Sequence, residues 1–213
     1  MKKKRMSVYN ILKKEYKTIP FSEEWIDAFG HPETTGIWYV SGKPTNGKTA
    51  FTMKLTYELA RIGMRVAYFS YEEGTRYPFQ DKIRRFNWRD VDRNIIIEDF
   101  EYRFISFKEM GKWLEANKRV KVVVIDSIQR WDMKRKDLSE LMLMAQSRLF
   151  IFVSHVDGKG QPSGAVATEI HRDAYLKIWV EGFRAFSKGR IFGSKGYYDI
   201  WKEKADAYWA ENI

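Results

Sequence analysis

Residues Gly42-Lys43-Pro44-Thr45-Asn46-Gly47-Lys48-Thr49 satisfy G-x-x-x-x-G-K-[ST] at every required position. The flanks constrain the chain further. Gly36-Ile37-Trp38-Tyr39-Val40-Ser41 is a short apolar run that predicts a buried strand. Phe51, Leu55, Leu59 and Ile62 recur at helical spacing just beyond. A strand, a glycine loop and a helix in that order aim backbone N–H groups and a helix N-terminus at an anion. The pattern therefore predicts a loop that wraps the phosphates of a nucleoside triphosphate.

The 213 residues suit one domain, and a 44% hydrophobic content is enough to fill its core. No apolar run is long enough to span a membrane. Met1-Lys2-Lys3-Lys4-Arg5 lacks the apolar segment of a secretory signal, and cysteine is absent, which excludes disulfides and thiolate zinc sites. Both observations agree with a cytoplasmic location. A net charge of +10 attracts polyanions, nucleic acid first among them, but charge alone fits a merely soluble basic surface as well.

Residues 1–20 read as a basic arm and residues 21–213 as a single domain. Ser22 to Phe29 predicts a short helix, capped by Ser22 and ended near Gly30. After the phosphate loop and its helix, Arg65 to Ser70 predicts a strand, and Phe79, Ile83 and Phe86 a helix. Asn94 to Glu98 predicts another strand, and Phe107, Met110 and Leu114 another helix. Val120 to Asp126 is a strand ending in a carboxylate, Leu138 to Ala145 a helix, and Leu149 to Ser154 a buried strand. A glycine-rich loop follows over Asp157 to Gly164, and Tyr175 to Trp201 reads as strands and turns. The alternation predicts an α/β fold with a mostly parallel sheet, helices on both faces and an antiparallel C-terminal extension.

The chemistry-bearing residues follow from this frame. Gly42 to Ala50 are expected to line the phosphates. Lys48 is expected at the β and γ phosphates, and the Thr49 hydroxyl on Mg²⁺. Asp126 emerges at the carboxyl edge of the sheet, where ligands of such sheets bind, and is the natural second holder of Mg²⁺. Glu72 and Glu73 follow the strand ending at Ser70; a carboxylate there suits a base for the attacking water, and two adjacent acids leave the choice open. His155 directly follows a buried strand and is placed to sense the γ-phosphate; a lone histidine is more often structural. Lys43 is an extra cation inside the loop. MinD/ParA-like partition ATPases use a lysine here across a dimer, but this chain has Pro44 and Thr45 where those are glycine-rich.

Together these segments resemble the RecA/RadA family of P-loop ATPases, with the DnaB-type helicase core as a cousin. Phe69-Ser70-Tyr71-Glu72-Glu73 resembles the family's strand-to-acid segment, which implies Glu72 as the catalytic carboxylate. Val122 to Gln129, with its Asp-Ser-Ile-Gln run, resembles the second nucleotide motif. Ser154-His155-Val156, Lys159-Gly160 and Gly164 resemble the sensor position and the DNA-facing loop. Ser187-Lys188-Gly189-Arg190 resembles the K-N-[RK] signature, with Gly189 in place of Asn; it implies that Lys188 and Arg190 reach a neighbouring subunit's ATP. Two residues apart, they would share one face of a strand. The resemblance spans roughly residues 34–201 and implies an RecA-like fold, ATP and Mg²⁺ as cofactors, a homo-oligomer, and a role on DNA in recombination, repair or replication. The zinc ribbon usual in RadA proteins is ruled out by the lack of cysteine.

The loop after Asp126 carries Arg130, Trp131, Lys134, Arg135 and Lys136. Cations neutralise phosphates and an aromatic face stacks on bases, so these residues and Lys159 are the expected contacts to single-stranded DNA. The other reading is a KaiC-like or partition-like switch or assembly ATPase that binds protein. A nucleotide kinase is disfavoured, because no arginine-rich lid is evident.

Overall fold

The computed structural model describes residues 5–98 and 106–211. The lysines of the arm's start, Lys2 to Lys4, lie outside the described residues. Among these residues eight strands form one sheet: β1 (Gly36–Ser41), β2 (Val66–Ser70), β3 (Ile95–Glu98), β4 (Val122–Asp126), β5 (Leu149–Ser154), β6 (Leu176–Glu181), β7 (Arg184–Ser187) and β8 (Tyr197–Asp199). Their order is β3-β2-β4-β5-β1-β6-β7-β8. The first six are parallel, and β7 and β8 add antiparallel hairpins at one edge. This is the expected architecture.

Among the described residues eight α-helices accompany the sheet: α1 (Val8–Leu12), α2 (Glu23–Phe29), α3 (Lys48–Arg61), α4 (Tyr77–Arg85), α5 (Phe107–Ala116), α6 (Leu138–Met144), α7 (Ala165–Asp173) and α8 (Lys202–Glu211). The strand period of two divides the core into two clusters. Trp38, Tyr68, Val124 and Ile151 face one side, where α2 and α3 bring Trp25, Phe51 and Leu55. Tyr39, Phe69, Ile125 and Phe152 face the other, against Met110 and Leu114 of α5, Leu141 of α6 and Ile170 of α7. Central strands β2, β4 and β5 are buried throughout, as a doubly covered parallel sheet requires. β6 alternates buried and half-buried, because its second face is only partly covered.

Four details depart from the sequence expectations. Helix α7 follows the glycine loop, and α8 closes the described chain; neither was expected. Ser22 occupies the N-cap of α2 without a side-chain cap bond; its hydroxyl donates to Glu58 Oε1 at 2.9 Å instead. The buried body begins at Ile19, which is fully enclosed beside a backbone bridge from Thr18 to Glu33. Among the described residues, no helix is long and apolar enough to cross a membrane.

Candidate nucleotide site

The sheet register gathers the site. Ser41 pairs with Ser154, Ser70 with Asp126, and Asp126 with Val153. The carboxyl ends of β1, β2, β4 and β5 therefore share one edge. Helix α3, after β1, and helix α7, after its neighbour β5, pack on opposite faces of the sheet, so the phosphate loop stands at a switch point where open α/β sheets bind ligands.

The first motif glycine is there for packing. A Cβ at Gly42 would collide with the Val180 carbonyl oxygen of β6. Gly47, at φ +99, turns the loop into α3 without a side-chain cap, which leaves the first N–H groups of a fourteen-residue helix to an anion. Lys48 is nearly buried, and its Nζ donates to the carbonyls of Gly42 (2.8 Å) and Lys43 (2.9 Å). Burial pulls its pKa down, opposed by the charges of Glu72 and Asp126. The side chain of Lys43 is exposed. Asn46 Oδ1 accepts from the Gly182 N–H at 2.8 Å and ties the loop to the β6–β7 turn.

Asp126 is only 6% exposed. Tyr68 donates to its Oδ2 at 2.6 Å. Burial pushes the carboxyl up to about 6; the Tyr68 bond opposes this and the charges of Glu72 and Glu73 add to it. Tyr68 lies one pair back on the same face of β2, diagonal to Asp126. Sequence reading passed over it, although the strand period put both on one face.

The two glutamates separate. Glu73 is ion-paired with Lys82 of α4, whereas Glu72 is 44% exposed with its Oε1 3.4 Å from His155 Nε2. His155 is thus at the site edge beside Glu72. Gln129, carried in the sequence only as a motif letter, links three parts of this edge. Its Nε2 donates to Ser154 Oγ (2.8 Å) and the Ser163 carbonyl (3.1 Å), and its Oε1 accepts from the His155 N–H (3.2 Å). One side chain therefore joins the end of β5 to both ends of the glycine loop.

Two expectations are corrected. Trp131 is 6% exposed, stacked on Phe152 and tilted against Phe107, each at 5.8 Å between ring centres. It belongs to the core and offers no face to a base. The chain there is extended, so Trp131 and Met133 point inward while Arg130, Asp132 and Lys134 point outward. Arg130, Lys134, Lys136 and Lys159 are exposed, and Arg135 is ion-paired with Glu169 of α7. Lys188 and Arg190, for their part, lie past the end of β7 and not on a strand. Their N–H groups donate to Lys177 and Tyr175, at the start of β6. Val180, against the phosphate loop, is five residues past Tyr175 and three past Lys177, about 16 Å and about 10 Å at roughly 3.3 Å per residue. Both side chains are exposed, and Lys188 lines a cleft it shares with Ser41 and Glu181, next to its own chain's loop.

The residues fit a nucleoside triphosphate with Mg²⁺. Uncapped N–H groups and Lys48 would meet phosphates, and Thr49 and Asp126 would offer oxygens to the ion. Among the described residues no group of three or more His, Cys, Asp or Glu could hold a metal by itself. That donor set suits Mg²⁺, which binds through one or two carboxylates together with substrate phosphates.

No protein-family model and no curated protein matches the chain. Solved structures do match. The flagellar accessory protein FlaH from Methanocaldococcus jannaschii superposes with a TM-score of 0.63 at 17% identity, over 86% of this chain and 92% of that one. A KaiC-like protein from Pyrococcus horikoshii gives 0.54 at 20%, over 78% and 89%. A structure solved as an ATPase domain gives 0.56 at 15%, over 81% and 84%. The fold is RecA-like.

Proposed function

We propose that residues 21–213 form one ATPase domain behind a basic arm, and that it binds and hydrolyses ATP while acting on DNA, most simply a single strand. The observation that carries the ATPase reading is the convergence of the phosphate loop, Lys48, Asp126 and Glu72 on one sheet edge at the switch point. When bound, Mg²⁺ supplies positive charge to the phosphate oxygens, held by Thr49 and Asp126. Lys48 exchanges the carbonyls of Gly42 and Lys43 for phosphate oxygens. Glu72 orients the attacking water and accepts its proton. His155, beside Glu72 and joined through Gln129 to the glycine loop, connects the state of the site to that loop.

The DNA reading rests on the exposed cations Arg130, Lys134, Lys136 and Lys159 in the loops after β4 and β5. It predicts that single-stranded DNA raises ATP turnover, and that DNA binding falls steeply with salt. Turnover measured with and without DNA, alongside mass determination in ATP and Mg²⁺, tests it. Slow turnover indifferent to DNA would favour a switch or assembly ATPase. The burial of Trp131, which removes the expected stacking face, keeps that second reading open.

Arg190, exposed and with its backbone bonded to Tyr175 before the start of β6, supports a site completed by a neighbouring copy. An arginine finger supplied in trans strengthens phosphoryl transfer by about 10³–10⁵. Mixing a Lys48→Ala chain with an Arg190→Ala chain should therefore recover turnover that neither has alone. Silence in the mixture, with co-assembly demonstrated by mass, would exclude the shared site.

A further inference from the structure

The phosphate motif says nothing about where the rest of the nucleotide goes. A cleft of about 890 Å³ opens beside the loop, within the range of small-ligand sites. Gly47, Ala50 and Lys54 line it from α3. They are three and four residues apart, so the cleft runs along one face of the helix from the phosphate end. Its other wall comes from the C-terminal hairpins. Phe183 and Ile200 both come within 3.5 Å of a Cβ built on Gly47. The bond from the Gly182 N–H to Asn46 fixes that wall to the loop.

Trp201 stands on this wall at the junction of β8 and α8, 47% exposed and edge-on to Phe183 at 6.5 Å. Lys204 Nζ lies 4.0 Å from the centre of its ring. A large indole half open to solvent at a charged cleft calls for a planar partner. We propose that the nucleobase is bound in this cleft by stacking on the Trp201 wall, making Trp201 a further binding residue. This rests on the triphosphate reading of the loop and extends it to the nucleoside. The triphosphate is gripped at the N-terminus of α3, and the nucleoside runs along α3 past Ala50 to the indole. Lys204, already over the ring, competes with the base or covers its far side.

Calorimetry of ATP and inorganic tripolyphosphate, on the whole chain and on its Trp201→Ala and Trp201→Phe variants, separates the two ideas. Tripolyphosphate needs only the loop. The parent chain should bind ATP more tightly than tripolyphosphate by roughly 5- to 150-fold, the contribution expected of one stacked base. Trp201→Ala should lose most of that advantage at unchanged tripolyphosphate affinity, and Trp201→Phe should restore much of it. If the parent binds tripolyphosphate but ATP no tighter, the base site is wrong and the phosphate loop stands. Equal weakening of both ligands in Trp201→Ala also overturns the proposal, because it marks structural damage. Failure of the parent to bind either ligand removes the triphosphate reading and the base site with it.

Discussion

Glu72→Gln should reduce ATP turnover by about 10²–10⁴-fold, the usual contribution of a positioned general base, while nucleotide binding persists. The amide keeps the size and exposure of the side chain but accepts no proton. Glu73→Gln should leave turnover near that of the parent chain. Glu73 spends its charge on Lys82, a partly exposed pair worth at most about 1 kcal/mol, and it does not share the contact of Glu72 with His155. Steady-state ATPase rates of the two variants, with binding measured separately, decide between the neighbours. A large loss in Glu73→Gln with little in Glu72→Gln would reverse the assignment.

Asp126→Asn should move stability and activity in opposite directions. In the metal-free chain, burial raises the Asp126 carboxyl from 3.8 to about 6. The folded state therefore holds a proton that the unfolded chain releases between those values. Stability from this group is lost as pH rises through the window, and the cost is fully present above about 6. Two units correspond to about 3 kcal/mol as an upper figure. An asparagine keeps an oxygen for the Tyr68 hydroxyl and carries no charge. Metal-free Asp126→Asn should melt higher than the parent at pH 7, by up to about 10 °C for a chain of this size. The difference should close toward pH 4. Its Mg²⁺-dependent turnover should fall by about a hundredfold or more. Thermal melts in chelator across pH 4–7 check the first claim; a variant that melts lower at pH 7 contradicts it. The native carboxylate is, on this account, a destabilising charge kept for its function.

The signals readable in the chain were those with a short period or a fixed local spacing. The phosphate motif is contiguous, and its glycines have separate local reasons: Gly42 for the approach of β6, Gly47 for the left-handed turn into α3. The apolar runs ending at Ser41, Ser70, Asp126 and Ser154 marked the strands, and hence the edge on which the candidate residues meet. Helix α8 was harder to read. Its sequence KEKADAYWAE contains one buried residue, Ala205, and little helical periodicity. Trp209 does reach the sheet, edge-on to Phe186 at 5.4 Å, but one aromatic does not make a pattern. At Trp131 the adjacent cations suggest a surface loop, but the alternation of buried Trp131 and Met133 with exposed neighbours is the signal the fold follows.

Sequence alone thus determined a glycine-containing loop between a strand and a helix, an α/β sheet around it, and the acids that end neighbouring strands. These depend on backbone geometry and side-chain period, which are local. The tertiary structure decided which residues share the site: Glu72 open toward His155 while Glu73 is held by Lys82, Tyr68 donating to Asp126, and Gln129 bridging β5 to the glycine loop. It also took Lys188 and Arg190 off the strand and stood Trp201 beside the phosphate loop. Such relations depend on strand order, register and the packing of elements far apart in the chain, and no local spacing encodes them.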